Sequence, residues 1–125
     1  MTAMKRMSLM GITSTAGGVT ISGERSVLGR LYEVKWIDGD LADGVGAALS
    51  AVGGVVDTTL LTLTAANSDA VYRPRAVVHD ATGTALTGTA GGDREMPVID
   101  GVPTLVIASG GDTKTGGCII YYFDN

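Results

Sequence analysis

Hydrophobic and polar positions alternate along short stretches of this chain, with the two-residue period of β-strands. Between Leu31 and Ile37, positions 32, 34 and 36 are aromatic or apolar, whereas Glu33 and Lys35 are charged. Successive side chains of a strand point to opposite faces of its sheet. The pattern therefore predicts a strand with Tyr32, Val34 and Trp36 on one buried face.

The last strand does not alternate. Every residue from Cys118 to Phe123 is apolar or aromatic, which indicates that both faces are covered, by the core or by another protein. A second apolar run, Leu105–Ala108, precedes it across the glycine-rich segment Gly110–Gly117. We predict that the two runs form a hairpin and that the final strand is central in its sheet.

Shorter pieces complete the pattern. Residues 55–64 and 71–79 are β-branched strand candidates, and Pro74 places the second at an edge or a bulge. For residues 43–52 a strand is favoured over a helix, because Gly44 and Gly46 would each cost about 1 kcal/mol in a helix interior. Weaker candidates lie at 18–22, 85–86 and 96–99. About eight short strands with turns between them predict an all-β sandwich or barrel.

Length and charge narrow the classes of function. The chain has 125 residues, which indicates one domain, and a net charge of −4 argues against nucleic acid as the main partner. One cysteine excludes an intrachain disulfide, and no stretch approaches the ~20 apolar residues that span a bilayer. Residues 1–18 have no clear period and are predicted to form an extended N-terminal arm on a domain at 19–125.

No motif predicts catalysis, a cofactor or a metal. Asp38–Gly44 is acidic and glycine-rich, but it lacks the ligands of a calcium loop at Ala42 and Ser50, so a tight turn is favoured. Gly110–Thr115 precedes a strand, whereas a phosphate-binding loop precedes a helix. His79 is the only histidine and has no nucleophile in a recognisable context. We expect Cys118 to be an inert buried thiol and Trp36 to be a core residue rather than a binding hot spot.

Three segments of the chain, Tyr32–Gly44, Tyr72–Asp80 and Gly110–Gly116 with the strand that follows, resemble the capsid decoration (cement) proteins of tailed bacteriophages. The resemblance implies a jelly-roll-like β-sandwich without a cofactor. It also implies a non-enzymatic virion protein, made in the bacterial host cytoplasm, that sits on the outer capsid surface. Such a protein would bridge major capsid subunits and associate with itself as a homodimer or homotrimer.

Candidate partner contacts follow from this interpretation. An arm rich in methionine adapts to irregular apolar surfaces, although a disordered start is an equal alternative. Arginines flanking Pro74 form the densest basic patch, and the turn before the last strand offers a polar tip. The predicted contacts are Met4, Lys5, Arg6, Met7, Leu9, Met10, Arg73, Arg75, Asp112 and Lys114.

Two other functions remain open from the residues. The chain could be a different virion β-domain, such as a head–tail connector or tail component, which would occur as a small ring rather than in many copies. A carbohydrate-binding module or adhesin is a further alternative. Such modules expose aromatic platforms, for which Trp36 and Tyr72 are the candidates.

Overall fold

The structure of the protein, a computed structural model, describes residues 3–86 and 94–124. All of its regular elements in these ranges are β-strands, and every pairing is antiparallel. The strands are β1 (Met4–Ile12), β2 (Val19–Ser22), β3 (Val27–Ile37), β4 (Gly46–Val52), β5 (Thr58–Leu63), β6 (Ala70–Tyr72), β7 (Ala76–Val77), β8 (Arg94–Glu95), β9 (Val98–Ala108) and β10 (Thr115–Asp124).

Eight of these strands form one continuous sheet that folds over into two layers. The first layer has the order β1-β10-β3-β6 and the second has the order β2-β9-β4-β5. The layers are joined where the start of β9 pairs with the start of β3, with Leu28 opposite Asp100. This is the connectivity of a jelly roll. The predicted all-β, jelly-roll-like sandwich is confirmed.

The change of layer occurs within β9. Residues 98–101 pair with β3, whereas residues 102–108 pair with β4. At the boundary, Gly101 has a φ of +134°, and a Cβ atom there would lie 2.6 Å from the carbonyl oxygen of Val52. A side chain is therefore excluded by both conformation and space. Gly101 allows one strand to belong to both layers.

The core lies between the layers and follows the predicted alternation. Leu9, Trp36 and Ile120 of the first layer are at most 1% exposed, as is Leu49 of the second. The Trp36 indole Nε1 donates a hydrogen bond to the carbonyl oxygen of Ala66 at 2.9 Å. The interpretation of Trp36 as a core residue is confirmed, and the tryptophan offers no exposed platform to a ligand.

A β-bulge in β3 changes one predicted orientation. Tyr121 pairs with Glu33, and the next residue, Tyr122, pairs with Leu31. Tyr32 is thus the extra residue, and a bulge shifts the alternation of the strand by one position. Leu31 takes the core position, whereas Tyr32 is half-buried on the other side of the sheet.

The structure corrects the prediction of a separate N-terminal arm over residues 1–18. From Met4 to Ile12 the segment is strand β1, which pairs residue for residue with β10. Met7 is 2% exposed and Leu9 is fully buried, so β1 is part of the sandwich core. Met4 and Met10, on the other face of β1, hide the alternation of Met7 and Leu9 around Ser8, so the sequence did not predict this strand.

The predicted closing hairpin is also wrong. β9 and β10 are consecutive in sequence, but they lie in different layers and do not pair. The segment between them crosses from one layer to the other. β10 lies between β1 and β3, so its predicted central position is confirmed. Residues 46–52 form β4, which confirms strand over helix for that segment.

Candidate interaction surface

The side of the first layer that faces away from the core carries an unusual mixture of aromatic, apolar and basic side chains. β10 supplies its centre, because Cys118, Ile120 and Tyr122 point into the core while the residues between them are only half-buried. Directly paired residues share a face of the sheet, which extends this surface over the neighbouring strands. We call it the outer face: Met4, Arg6, Ser8, Met10, Arg30, Tyr32, Glu33, Lys35, Val71, Arg73, Arg75, Ile119, Tyr121 and Phe123.

The centre of the outer face is apolar. Ile119 lies opposite Ser8 on one side and Lys35 on the other, and Tyr121 lies opposite Arg6. At the border, Val71 is 57% exposed. The non-alternating sequence of β10 therefore has a simple explanation: one face fills the core and the other forms an apolar stripe that the chain itself leaves half-covered.

Basic side chains lie over the aromatic rings of this surface. The Lys35 ammonium is 5.0 Å from the centroid of the Tyr121 ring. The guanidinium groups of Arg73 and Arg75 lie 5.2 and 5.6 Å from the Tyr32 ring. These distances are within the range of cation–π attraction. The stacking holds long, flexible side chains in fixed positions, which reduces the entropy that a partner would have to restrict.

Tyr32 is the anchor of the basic end of the outer face. Its ring contacts Phe123 edge-to-face, with centroids 6.0 Å apart. Its backbone carbonyl accepts a hydrogen bond from the Arg75 Nη1 at 3.0 Å. The bulge in β3 is what places Tyr32 here, and sequence alternation, which put its side chain in the core, could not find it.

One carboxylate, Glu33, is buried among these cations. Glu33 is 8% exposed, and its Oε1 accepts a hydrogen bond from the Arg73 Nε at 2.9 Å. A buried carboxylate needs such a partner because the low dielectric of its surroundings penalises the free charge. The ion pair fixes Arg73 over Tyr32. Arg73 and Arg75, predicted as partner contacts, both belong to the outer face.

The six contacts predicted in the former arm lie in three different places. Met7 and Leu9 are core residues, and a partner cannot reach their side chains without opening the sandwich. The prediction of these two residues as partner contacts is therefore wrong. Met4 is 48% exposed, Met10 is 38% exposed, and Arg6 is exposed beside them on the outer face. Lys5 lies at the strand edge, where its Nζ is 2.9 Å from the Asp124 Oδ2.

Asp112 and Lys114 lie elsewhere. They belong to the turn that precedes β10, whereas Tyr32, Arg73 and Phe123 surround its other end, nine residues and about 30 Å along the strand. In this turn the backbone N–H of Lys114 donates to the Thr13 Oγ1 at 2.8 Å, and the Thr13 hydroxyl donates to the Gly111 carbonyl at 2.6 Å. The structure therefore does not bring the tip and the basic patch into one surface.

The acidic segment after β3 forms a turn, as the sequence predicts, with Gly39 at a φ of +58°. The Asp69 Oδ1 accepts a hydrogen bond from the Asp38 backbone at 2.8 Å. Burial raises the pKa of the Asp38 carboxyl, and the charges of Asp69, Asp43 and Asp40 raise it further. Within residues 3–86 and 94–124, no group of three or more His, Cys, Asp or Glu side chains is arranged to hold a metal ion.

The cysteine and the histidine, the two candidate reactive side chains, do not form a joint site. The Cys118 thiol is in the core, and burial raises its pKa to about 12, which keeps it in the unreactive thiol form. This confirms the prediction of an inert cysteine. His79 is exposed, and its backbone forms an isolated bridge with Ala85.

Comparison with protein families, with curated proteins and with solved structures found no match for this chain. The part of the chain that the structure describes also contains no helix long and apolar enough to cross a bilayer.

The outer face was only partly predictable from the sequence. The uninterrupted apolar run of β10 was its signal, whereas the positions of Lys35 and Tyr32 depend on pairing and on the bulge.

Proposed function

We propose that this chain is a non-enzymatic structural protein of a tailed-phage virion, which binds the outside of the capsid and stabilises the shell by bridging major capsid subunits. The outer face is the observation that carries the proposal. It joins an apolar centre, Ile119 and Tyr121, to cations that aromatic rings and an ion pair hold in place.

The composition of the outer face favours an acidic protein surface as its partner. Five of the nine lysines and arginines, namely Arg6, Arg30, Lys35, Arg73 and Arg75, lie on this one face of a chain whose net charge is −4. Tyrosine and arginine are the residue types enriched at energetically important interface positions. Charge complementarity steers association and selects the partner.

Stabilisation of a shell follows from such binding by mass action. A protein that binds the assembled shell but not its separated subunits shifts the equilibrium toward the shell. Modest affinity at each site is sufficient when the sites are numerous and one molecule or oligomer touches several subunits. The segments that resemble decoration proteins include Tyr32–Gly44 and the last strand, which supply Tyr32, Lys35 and Tyr121 to the outer face.

Charge reversal separates the outer face from the tip as the binding surface. Purified protein is added to shells of the encoding phage that lack it, and the bound fraction is measured by co-sedimentation over a range of salt concentrations. We expect Lys35→Glu to weaken binding at least about tenfold, because one reversed charge at a partly desolvated interface costs over 1.4 kcal/mol.

The matched control is Lys114→Glu, which makes the same change of charge at the tip and should bind as the wild type does. Wild-type binding should also weaken as salt rises, since exposed charges are screened. Equal binding of the wild type and Lys35→Glu, with a loss in Lys114→Glu, would contradict the assignment of the outer face. Absence of wild-type binding to the shells would contradict the proposed function itself.

A further inference from the structure

Strand β1 is a sheet edge that is unprotected over most of its length. It pairs only with β10 in the described part of the chain, and the pairing runs without a register shift from Met4–Phe123 to Ile12–Thr115. An open edge presents unpaired backbone N–H and C=O groups to any other strand. Natural sandwiches therefore protect such edges by shortness, bulges, prolines or charges.

The other edges of the two layers carry these protections. β2 has four residues and β6 has three. β5 contains a bulge, because Leu49 pairs with Leu61 while Ser50 pairs with Thr59. By contrast β1 has nine residues without proline, and after Lys5 and Arg6 its remainder, Met7–Ile12, is uncharged.

Space beside β1 is available for another strand. The Ile21 side chain of β2 approaches β1 at Gly11. Toward the start of β1, however, a cleft of about 510 Å³ separates the two edges. Met7, Ser8 and Met10 line it on one side, and Ile21, Ser22 and Glu24 line it on the other.

We propose that β1 pairs antiparallel with β1 of a second copy of this chain, about a two-fold axis at Ser8 that is perpendicular to the sheet. In this register the numbers of two facing residues add up to 16. Ser8 meets Ser8, Met7 meets Leu9, Arg6 meets Met10 and Met4 meets Ile12. No charged residue faces a like charge, and core-facing residues meet core-facing residues.

The self-complementarity of this register is the reason for choosing a second copy over a foreign strand. Met4, Met10 and Ile12 are 48%, 38% and 61% exposed in the single chain. All three gain cross-strand neighbours in the pair. A two-fold interface uses the same patch twice, so each favourable pair of residues occurs twice.

Such a dimer would join the two first layers into one sheet across the axis. An axis perpendicular to the sheet leaves both outer faces on the same side. If the proposed function is right, the dimer presents two binding surfaces to one shell, which raises avidity without new contacts. The dimer itself does not depend on that function and is tested in solution.

The test is sedimentation velocity of the purified full chain over a range of concentrations. Ser8→Glu and Ser8→Lys each place like charges opposite one another at the axis, and each should raise the dimer dissociation constant by up to about fivefold. An equimolar mixture of the two variants should associate at least as tightly as the wild type. Met10→Glu should tighten the dimer, because it places a carboxylate opposite Arg6 of the second copy.

Thr62→Glu, at an exposed position on the bulged edge strand β5, is the matched control and should leave the dissociation constant unchanged. Circular dichroism of each variant verifies that the fold is retained. A wild-type protein that stays monomeric at every concentration, a trimer, or variants of Ser8 that all associate like the wild type would overturn the proposal. Loss of shell binding in a dimeric protein would instead contradict only the proposed function.

Discussion

The ion pair between Glu33 and Arg73 combines stability and surface organisation in two side chains. Glu33 is nearly buried, whereas the Arg73 side chain is 58% exposed. The arginine therefore neutralises the carboxylate and at the same time presents its guanidinium over the Tyr32 ring, at the solvent boundary. An exposed pair without this asymmetry contributes little to stability.

Removal of Arg73 should therefore lower the free energy of unfolding more than removal of Lys5, an exposed cation on β1. We expect Arg73→Ala to lower the free energy of unfolding more than Lys5→Ala does, because it leaves the buried Glu33 without its partner. Lys5→Ala, which removes an exposed pair with Asp124, should cost at most about 1 kcal/mol. Urea unfolding measures both, and in a Glu33→Gln background the cost of Arg73→Ala should fall. An unchanged cost in that background would show that the pair carries no coupling.

Two aspartates should give opposite pH dependences. The folded-state pKa of Asp38 is raised, so its contribution to stability is present at low pH and is lost as pH rises through that pKa. Hydrogen bonds from Thr82 and Thr84 lower the pKa of Asp80, so its contribution is present at neutral pH and is lost on acidification.

The stability that Asp38→Asn gains over the wild type should therefore be larger near pH 7 than near pH 3. Asp80→Asn should be less stable near pH 7, with a difference that shrinks near pH 3. Thermal unfolding at the two pH values measures both differences. The same direction of change in the two variants would contradict the assigned environments.

The sequence predicted the burial of some single residues correctly and of others wrongly. The alternation around Val34 and Trp36 predicted their burial correctly, because a strand with one wet face leaves that signal in the sequence. Tyr32 was misplaced because a bulge adds one residue to β3 without leaving a sequence pattern. Met7 and Leu9 were assigned to an arm because the core positions of β1 are flanked by other methionines, which hide the period.

At the scale of elements, β9 decides how the two layers are connected. It pairs with β3 before Gly101 and with β4 and β2 after it. Neighbours in sequence misled the prediction here. Leu105–Ala108 and Cys118–Phe123 look like a hairpin because short turns usually join paired strands. In this fold the turn crosses between layers, and the pairing partners of both strands come from distant parts of the chain.

Gly101→Ala tests the role of this turning point. We expect it to lower the free energy of unfolding by about 1–3 kcal/mol, because the φ of +134° is unfavourable for alanine and its Cβ would contact the Val52 carbonyl. Gly44→Ala is the matched control. Its Cβ would meet no atom within 4 Å, so its cost should stay below about 1 kcal/mol. Chemical denaturation compares the two, and equal costs would contradict the importance of the turn in β9.

On the scale of the whole molecule, the two proposed surfaces, the outer face and the β1 edge, belong to the same layer but are proposed to bind different partners. The outer face has fixed cations around an apolar centre, and the β1 edge is a strand without a bulge that pairs on one side only in the described part of the chain. The sandwich class was predictable because it follows from strand periods and turns. The surfaces were not, because they depend on which strands are neighbours and which strand is left at the edge.

The most direct test of the central claim is a cryo-electron-microscopy reconstruction of the native particle at a resolution that identifies side chains. We predict many copies of the chain on the outside of the shell, with Lys35, Tyr121 and Arg73 against the major capsid protein and the Asp112–Lys114 turn away from it. A small ring of copies at the portal or tail, or attachment through that turn with the outer face in solvent, would contradict it.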